Sequence, residues 1–313
     1  MLKSSSIEPL KVGCFGEAMI ELKPNGLCTQ ANLGVAGDSL NTAIYLKRYL
    51  GLQHHVSFIS MVGSDVLSNR IEEFVASEGI LTKLLKRHPQ KLPGLYAITI
   101  DDAGERYFAY WRESSAARAL FSRPHGIKFE ELDAFDVVFA TAISLAILTQ
   151  HARDGFFEWL SSFRASGGCF VFDSNYRPTL WDSRAIAQSQ IARAWENCDI
   201  ALPSLDDELA LFGDRDERAV LSRLRGYGFL VGGLKRGSLG PVDIFDTDDD
   251  GISLATMRSA SNVVDTTAAG DSFNGAYVAT YLTTKDSQLA LRAGHELACE
   301  VIGHPGAIVP RPR

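Results

Sequence analysis

Short apolar strands alternate with helical stretches along most of this 313-residue chain, and that alternation constrains its fold more than any other feature. A helix with one apolar face is predicted at 38–50, and a second helix at 69–78, ended by Gly79. Apolar strands are predicted at 11–20, 56–62, 137–140, 169–173, 200–203 and 229–234. This pattern is typical of a mainly parallel sheet with helices on both faces, so we predict one doubly wound α/β domain over residues 1–313.

The alternation is interrupted between residues 92 and 113, where one strand follows another. Strands are predicted at 96–101 and 105–112, and the sequence between them, Asp101-Asp102-Ala103-Gly104, is typical of a hairpin turn. An antiparallel hairpin inside an α/β chain indicates a small flap over the main sheet. We expect this β-lid to be built from about 17–36 and 92–113.

The composition excludes several classes of protein. Hydrophobic residues make up 46% of the chain and charged residues 22%, with a net charge of −7, as in an ordinary globular protein with a buried core. The basic face of a nucleic-acid-binding protein is missing, as is an apolar run of about 18 residues that would cross a membrane. The first eleven residues lack the apolar core of a signal peptide. We therefore expect a cytoplasmic protein that binds neither nucleic acid nor membranes.

The cysteines do not form a recognisable site. They are five in number and widely spaced, at Cys14, Cys28, Cys169, Cys198 and Cys299. No pair has the C-x-x-C spacing of a zinc or redox site, and a disulfide framework is not expected in a chain of this size. We interpret them as small buried thiols.

The most informative segment is 265–273, DTTAAGDSF. Its small residues, Ala268 to Gly270, precede a helical stretch, and a helix start leaves backbone N–H groups free to bind phosphate or a developing negative charge. Asp271 stands at this helix start, where a carboxylate can take a proton from a substrate hydroxyl. An Asp at this position is equally typical of an ordinary helix cap. The local pattern leaves both interpretations open.

The same segment resembles the C-terminal signature of the ribokinase family of carbohydrate kinases, D-T-x-G-A-G-D-x-F, with Ala268 in place of the usual glycine. Segment 34–43, GVAGDSLNTA, resembles the glycine-rich N-terminal signature of that family, and the similarity runs from about residue 13 to 310. The resemblance implies a ribokinase-like fold, ATP and Mg²⁺ as cofactors, and a homodimer. It implies that Asp271 is the catalytic base and that the amides of Ala268, Ala269 and Gly270 form the anion hole.

Two arginines indicate an acidic sugar. Arg112 shares one face of a predicted strand with Tyr110, and Arg177 follows the end of another strand, where ligands bind in such sheets. A guanidinium grips a carboxylate in a bidentate fork, and a neutral hexose offers no such partner. Tyr96 is expected near Tyr110, whereas Tyr107 and Trp111 lie on the other strand face and are interpreted as packing or interface residues.

Segments 37–46, 92–96, 104–112 and 173–181 resemble the ketodeoxygluconate kinases of the same family. The resemblance implies that the sugar acid contacts Gly37, Tyr96, Tyr110, Arg112, Arg177 and Asp271. Within the N-terminal signature, Asp38 and Asn41 are added to this set of predicted substrate-binding residues.

The nucleotide site is predicted less directly, because the G-x-x-x-x-G-K-[ST] loop of P-loop enzymes is missing. Segment 235–237 resembles the loop that runs under the nucleotide phosphates in the family. The predicted nucleotide-binding residues are Ser204, Lys235, Gly237 and Gly240, although the two glycines also fit an ordinary turn. Ser204 and Asp207 occupy the two places of the family's N-x-x-E, so Asp207 is predicted to face Mg²⁺ through water.

The resemblance, together with the two arginines, implies a kinase that uses ATP to phosphorylate the terminal hydroxyl of 2-keto-3-deoxygluconate. Its galactose-derived epimer, a neutral sugar such as fructose or ribose, and a non-catalytic sugar-binding role on the same fold are alternatives. A serine hydrolase is a further alternative, because segment 37–40, GDSL, spells a known nucleophile block. In this hydrolase family the catalytic histidine has an Asp three residues before it, and neither His295 nor His304 has such an Asp.

Overall fold

The structure, a computed structural model, describes residues 8–25, 29–100, 106–245, 260 and 262–310. The strands are β1 Lys11–Phe15, β2 Met19–Pro24, β3 Ala31–Ala36, β4 His55–Val62, β5 Leu85–Arg87, β6 Gly94–Ile100, β7 Arg106–Trp111, β8 Val137–Thr141, β9 Cys169–Asp173, β10 Ile200–Ala201, β11 Val231–Leu234 and β12 Val242–Asp243. The helices are α1 Asp38–Leu50, α2 Val66–Ser77, α3 Ala142–Ala146, α4 Gln150–Ala165, α5 Arg184–Glu196, α6 Leu205–Phe212, α7 Glu217–Arg225, α8 Ala269–Thr284 and α9 Ser287–Val301.

The main sheet has eight strands in the order β12-β11-β10-β9-β8-β1-β4-β5. All neighbours are parallel except β12, which runs antiparallel to β11. The chain therefore builds outward from β1 in one direction and then from β8 in the other. Such a reversal of strand order opens a crevice at the carboxyl ends of the strands, where ligands bind. The predicted doubly wound α/β fold is confirmed.

A second, smaller sheet has the order β3-β2-β6-β7. Strands β6 and β7 are antiparallel, and Tyr96 lies opposite Tyr110, as the sequence predicts. Strand β2 is parallel to β6 and antiparallel to β3. The predicted turn at 101–104 lies outside the described residues. We call these four strands the lid sheet.

The prediction of one strand over residues 11–20 is wrong. The chain leaves the main sheet after Phe15 and enters the lid sheet at Met19, so the apolar run supplies two strands in different sheets. Every residue from 12 to 20 is buried, which is why the change of sheet leaves no mark on the hydrophobic pattern. Helix α2 begins three residues earlier than predicted, because the Asp65 side chain caps it by accepting hydrogen bonds from two backbone amides.

The chain crosses between the two sheets four times, and the crossings meet around Glu17. A Cβ atom built on Gly37 would lie 2.1 Å from the Glu17 carbonyl oxygen, and one built on Gly94 would lie 2.5 Å from its Oε1 atom. The Oε2 atom of the same side chain lies 2.5 Å from Arg112 Nη2. Glycine is therefore required at position 37, where another backbone lies too close for a side chain, and at position 94 a methyl group would press on the buried Glu17 side chain.

We expect Gly37→Ala to lower the free energy of unfolding by about 1–3 kcal/mol, because the new methyl group forces backbone to shift at a packed crossing. Urea denaturation would measure the loss. Gly226→Ala is the matched control, since Gly226 ends α7 at a φ of −70° and is exposed. Equal stability of the two variants would contradict the requirement for glycine at position 37.

The core lies on both faces of the main sheet. The largest fully buried side chains are Trp195, Tyr45, Tyr277, Phe15, Phe58, Phe139, Phe156, Phe170 and Phe172. At about 25 cal/mol per Å² of buried apolar surface, this aromatic content is a main source of the stability that holds the strand ends in place. In the part of the chain that the structure describes, no helix is both long and apolar enough to cross a membrane.

The cysteines within the described residues, Cys14, Cys169, Cys198 and Cys299, are free thiols. Two of them, Cys14 and Cys198, are buried, and the other two are half-buried. Burial raises the pKa of the Cys169 thiol to about 12, so it stays protonated and unreactive. The interpretation as small thiols is confirmed for these four, while Cys28 lies outside the described residues.

Candidate active site

The N-terminus of α8 presents free backbone amides. The helix begins after Ala268, which has a left-handed φ of 61°, and no side chain caps it. The Ala269 amide donates to the Thr266 carbonyl oxygen at 3.3 Å, whereas no carbonyl oxygen in the described ranges accepts from the amides of Gly270 and Asp271. Two unpaired N–H groups at the positive end of a sixteen-residue helix form an anion site.

Asp271 lies in the first turn of α8 but does not cap it, so its interpretation as an ordinary helix cap is wrong. Its Oδ2 atom accepts a hydrogen bond from Asn41 Nδ2 at 2.9 Å. Burial and the neighbouring Asp38 carboxylate raise the pKa of Asp271 to about 8, against the lowering effects of Asn41 and Lys235. A carboxyl group with such a raised pKa beside an anion site is typical of a catalytic acid or base.

Asp38 begins α1 and connects that helix to the sheet. Its Oδ2 atom accepts from Thr141 Oγ1 at 2.5 Å and from Asn175 Nδ2 at 2.9 Å. Thr141 ends β8 and Asn175 follows β9, so the two donors come from neighbouring strand ends. The predicted substrate residues Asp38 and Asn41 therefore lie together with Asp271 at the carboxyl edge of the main sheet.

Lys235 lies at the same edge, directly after β11. Its Nζ atom donates to Asp173 Oδ2 at 2.8 Å and to Asn274 Oδ1 at 3.0 Å. Asn274 Nδ2 also donates to Asp173 Oδ2, at 2.6 Å. Sequence reasoning did not single out Asp173 or Asn274 as site residues. A signal existed in each case, since Asp173 is the polar last residue of an apolar strand and Asn274 lies three residues after Asp271.

The lid sheet contributes two tyrosines. The ring centroids of Tyr96 and Tyr110 are 5.7 Å apart, and Tyr96 donates its hydroxyl hydrogen to Glu21 Oε2 at 2.6 Å. Burial and the Glu21 carboxylate raise the pKa of Tyr96 far above its ordinary value, and the Asp271 carboxylate adds to this effect. The lid tyrosines are thus close enough to the α8 N-terminus for the two sites to interact electrostatically.

Arg112 follows β7 and is nearly buried. Its guanidinium carbon lies 6.0 Å from the Tyr110 ring centroid, and its Nη2 atom forms the ion pair with Glu17. The Arg112 side chain is 8% exposed and the Glu17 side chain is 1% exposed. Burial raises the pKa of Glu17, while Arg112 and Arg118 lower it. Arg112 therefore already has a carboxylate partner within the chain.

Arg177 also has an internal partner. Its Nη1 atom lies 3.7 Å from Asp207 Oδ1, and its side chain is 54% exposed. Burial and the Asp173 carboxylate raise the pKa of Asp207 to about 6. The structure thus pairs the two predicted arginines with two different carboxylates, whereas the sequence suggested that a substrate carboxylate was their shared partner.

The predicted nucleotide residues lie along one edge. Ser204 precedes α6, forms a parallel bridge with Lys235, and donates its amide hydrogen to Ser174 Oγ at 3.0 Å. Gly237 and Gly240 have φ values of 56° and 74°. Positive φ explains glycine at both positions, so this geometry fits a turn and a phosphate loop equally well.

The serine of the GDSL segment is not an exposed nucleophile. Ser39 is fully buried, and its Oγ atom lies 3.1 Å from Ser144 Oγ. Ser144 Oγ in turn donates to the Phe15 carbonyl oxygen at 2.7 Å. A hydrolytic serine needs access to substrate and a histidine base, and this hydroxyl serves packing between α1 and α3 instead.

Comparison with known proteins identifies the family of this chain. Residues 10–313 match the pfkB family of carbohydrate kinases. The 2-dehydro-3-deoxygluconokinase of Haemophilus influenzae is 39% identical over 305 residues, covering 96% of each chain. The Escherichia coli K12 enzyme of the same name is 37% identical over 309 residues, covering 96% of this chain and 97% of that enzyme.

Among solved structures, an Escherichia coli protein proposed to be a ribokinase II, in complex with ATP and Mg²⁺, superposes with a TM-score of 0.80. It is 20% identical, and the match covers 95% of this chain and 94% of that one. That likeness supports the fold, and the family match extends over nearly all of the sequence. The chain belongs to the pfkB family of carbohydrate kinases.

Proposed function

We propose that this kinase transfers the γ-phosphoryl group of ATP to the terminal hydroxyl of 2-keto-3-deoxygluconate, also called 2-dehydro-3-deoxygluconate, giving the 6-phosphate. The observation that carries the proposal is the Asp271 carboxyl group beside the free amides of the α8 N-terminus. The substrate is supported by the relatives at 37–39% identity that bear its name.

The chemistry requires a base and an anion site close together. Asp271 takes the proton of the terminal hydroxyl, and the hydroxyl oxygen then attacks the γ-phosphorus. The free amides of Gly270 and Asp271 and the α8 dipole stabilise the negative charge on the phosphoryl oxygens, whereas the Ala269 amide donates to the Thr266 carbonyl oxygen instead. Such electrostatic stabilisation contributes most of the catalysis in reactions of this type. The amide of Ala268 borders the same turn.

The sugar acid lies, in this proposal, between the strand ends and the lid sheet. Asn41, Asp38 and the amide of Gly37 bind its hydroxyl groups, and Tyr96 and Tyr110 cover it. Arg112 and Arg177 bind its carboxylate. Closure of the lid sheet would exclude water, which otherwise would receive the phosphoryl group.

ATP lies, in this proposal, along Ser204, Lys235, Gly237 and Gly240. The residues present fit Mg²⁺, because the Asp207 carboxyl group lies near a second carboxylate, that of Asp173, and carboxylate oxygens suit this ion. Among the described residues no group of three or more His, Cys, Asp or Glu side chains is arranged to hold a metal. In this proposal Asp207 would hold Mg²⁺ through water, and the ion would neutralise charge on the nucleotide phosphates.

The activity should rise with pH through an apparent pKa well above that of an ordinary carboxyl group. Asp271 acts as a base only when ionised, and its pKa in the free protein is raised to about 8. The measurement is kcat/KM for the sugar acid between pH 5 and 9, which reports groups of the free enzyme. A profile that is already flat at pH 5 would contradict this role of Asp271.

The lid sheet also supports a homodimer, as the family resemblance implies. Strand β7 is the last strand of that sheet among the described residues, and Tyr107 and Trp111 are 58% and 60% exposed. Exposed aromatic side chains on an edge strand are typical of an interface. Sedimentation equilibrium would decide the state, since a monomer at micromolar concentration would contradict the dimer.

The test of the proposed function is an ATP-consumption assay with Mg²⁺ and four separate substrates: 2-keto-3-deoxygluconate, its galactose-derived epimer, fructose and ribose. Turnover restricted to the keto acids supports the proposal. A kinase for a neutral sugar is the second candidate, because the internal pairing of Arg112 and Arg177 balances their charges without a substrate carboxylate. Turnover of fructose or ribose, with none of the keto acids, would establish that alternative.

A further inference from the structure

The ammonium group of Lys235 is fixed by two buried side chains from different elements. Asp173 ends β9, Asn274 lies in α8, and both are almost completely buried. The Lys235 side chain is 11% exposed, and that of Asp173 is 3% exposed. Three elements of the fold thus meet at one cation, which has little freedom to move.

This cation borders the anion site. A Cβ atom built on Gly270 would lie 3.7 Å from Lys235 Nζ. The ammonium group therefore lies beside the free amides of α8. A lysine ammonium has three N–H donors, and the contacts with Asp173 and Asn274 use two of them. The third is available to an oxygen bound at the amides.

We propose that Lys235 is a catalytic cation that contacts the phosphoryl group during transfer, and that Asp173 and Asn274 are positioning residues that aim it. This inference rests on the proposed function. A bond forms between the substrate hydroxyl oxygen and the γ-phosphorus, and the bond from that phosphorus to the β,γ-bridging oxygen breaks. ADP leaves with the electron pair, the hydroxyl proton goes to Asp271, and Lys235 keeps all its protons.

The competing explanation is that this cluster only fastens α8 to the sheet. A fastening role predicts equal loss of activity when either partner of the Lys235–Asp173 pair is neutralised. A catalytic cation predicts unequal losses, because Asp173→Asn keeps the ammonium and its contact with Asn274, whereas Lys235→Met removes the charge. Fixed cations aimed at developing negative charge contribute far more inside a site than in water.

The experiment compares kcat and KM of the wild type with Lys235→Met, Lys235→Arg and Asp173→Asn. We expect Lys235→Met to lower kcat by about 10²–10³-fold, with KM for the sugar acid changed by less than about threefold. The loss of kcat in Asp173→Asn should be at least about tenfold smaller than the loss in Lys235→Met. The kcat of Lys235→Arg should lie between those of the wild type and Lys235→Met. Arg164→Met is the control, because it breaks an ion pair with Asp199 away from the site and should leave kcat unchanged.

A second measurement, on the free protein, requires neither ATP nor the sugar acid. The charged groups facing the Asp271 carboxylate are Asp38 of α1, Asp173 of β9 and Lys235 after β11, with Asn41 as hydrogen-bond donor. NMR titration of the Asp271 carboxyl carbon should show a higher pKa in Lys235→Met and a lower one in Asp173→Asn. Collapse of the cluster in both variants would instead shift the two values in the same direction.

The outcomes separate the two proposals. A wild type that phosphorylates none of the four substrates overturns the proposed function and this inference with it. An active wild type whose Lys235→Met variant keeps kcat within about threefold overturns the inference alone. If Lys235→Met does not fold, as judged by circular dichroism, Lys235→Arg and Asp173→Asn decide. Both keep a cation, so a kcat loss of more than about 10²-fold in Asp173→Asn overturns the inference.

Discussion

Asp271→Asn is expected to lower kcat by about two to four orders of magnitude while making the protein more stable at pH 8. The catalytic loss follows because an amide cannot take the hydroxyl proton. The gain in stability follows from the raised pKa of Asp271, about 8 in the folded protein. An unfolded Asp ionises near pH 4, so between pH 4 and 8 the folded state holds a proton that the unfolded state releases.

The sign of the pH effect is therefore fixed. Stability of the wild type declines as pH rises from 4 to 8, because the unfolded state binds fewer protons, and Asp271→Asn removes this decline. Melting temperatures at pH 5 and pH 8 measure it, and the advantage of the variant should grow with pH. Asp206→Asn, an exposed residue of α6, is the control. An active or less stable Asp271→Asn protein at pH 8 would contradict both roles.

Arg112→Met is expected to lower the free energy of unfolding by about 3–5 kcal/mol, because it leaves the Glu17 carboxylate buried without its main partner. It should also raise KM for the sugar acid, since the bidentate contact that we propose with the substrate carboxylate is lost. Urea denaturation and steady-state kinetics measure the two effects. The double variant Glu17→Gln with Arg112→Met should recover much of the stability and none of the affinity.

Arg177→Met serves as the comparison for Arg112→Met. The Arg177 side chain is 54% exposed, and its Nη1 atom lies 3.7 Å from Asp207 Oδ1. The substitution should therefore lower the free energy of unfolding by less than about 1 kcal/mol. It should raise KM for the sugar acid all the same. Recovery of affinity in the Glu17→Gln, Arg112→Met double variant would show that Arg112 acts through packing rather than through the carboxylate of the substrate.

Local patterns predicted the elements whose signal lies within a few residues. Helix α1 is found at 38–50 as predicted, because its apolar residues repeat at helical spacing and Gly37 and Gly51 flank it. Asp271 was predicted at a helix start because small residues precede it. Segment 96–112 was predicted as two antiparallel strands because of the turn signal between them.

Pairing across the chain was beyond the reach of the sequence. The contact between Glu17 and Arg112 depends on where the lid sheet joins the main sheet, and no local spacing encodes that. The same holds for Lys235, Asp173 and Asn274, which come from three separate elements. The split of segment 11–20 was missed because both resulting strands are buried, so the hydrophobic pattern continues through the change of sheet.

Because the four chain crossings meet around Glu17, a rigid rotation of the lid sheet relative to the main sheet would pivot at this point. Strand β6 extends for seven residues from the crossing, about 20 Å at the usual rise per residue. A rotation of about 10° about this point would therefore displace the far end of the strand by about 3–4 Å, with little movement of the atoms around Glu17. Such a rotation would keep the packing at the crossings close to that of a protein interior, whereas the distant end of the strand would move by several ångströms.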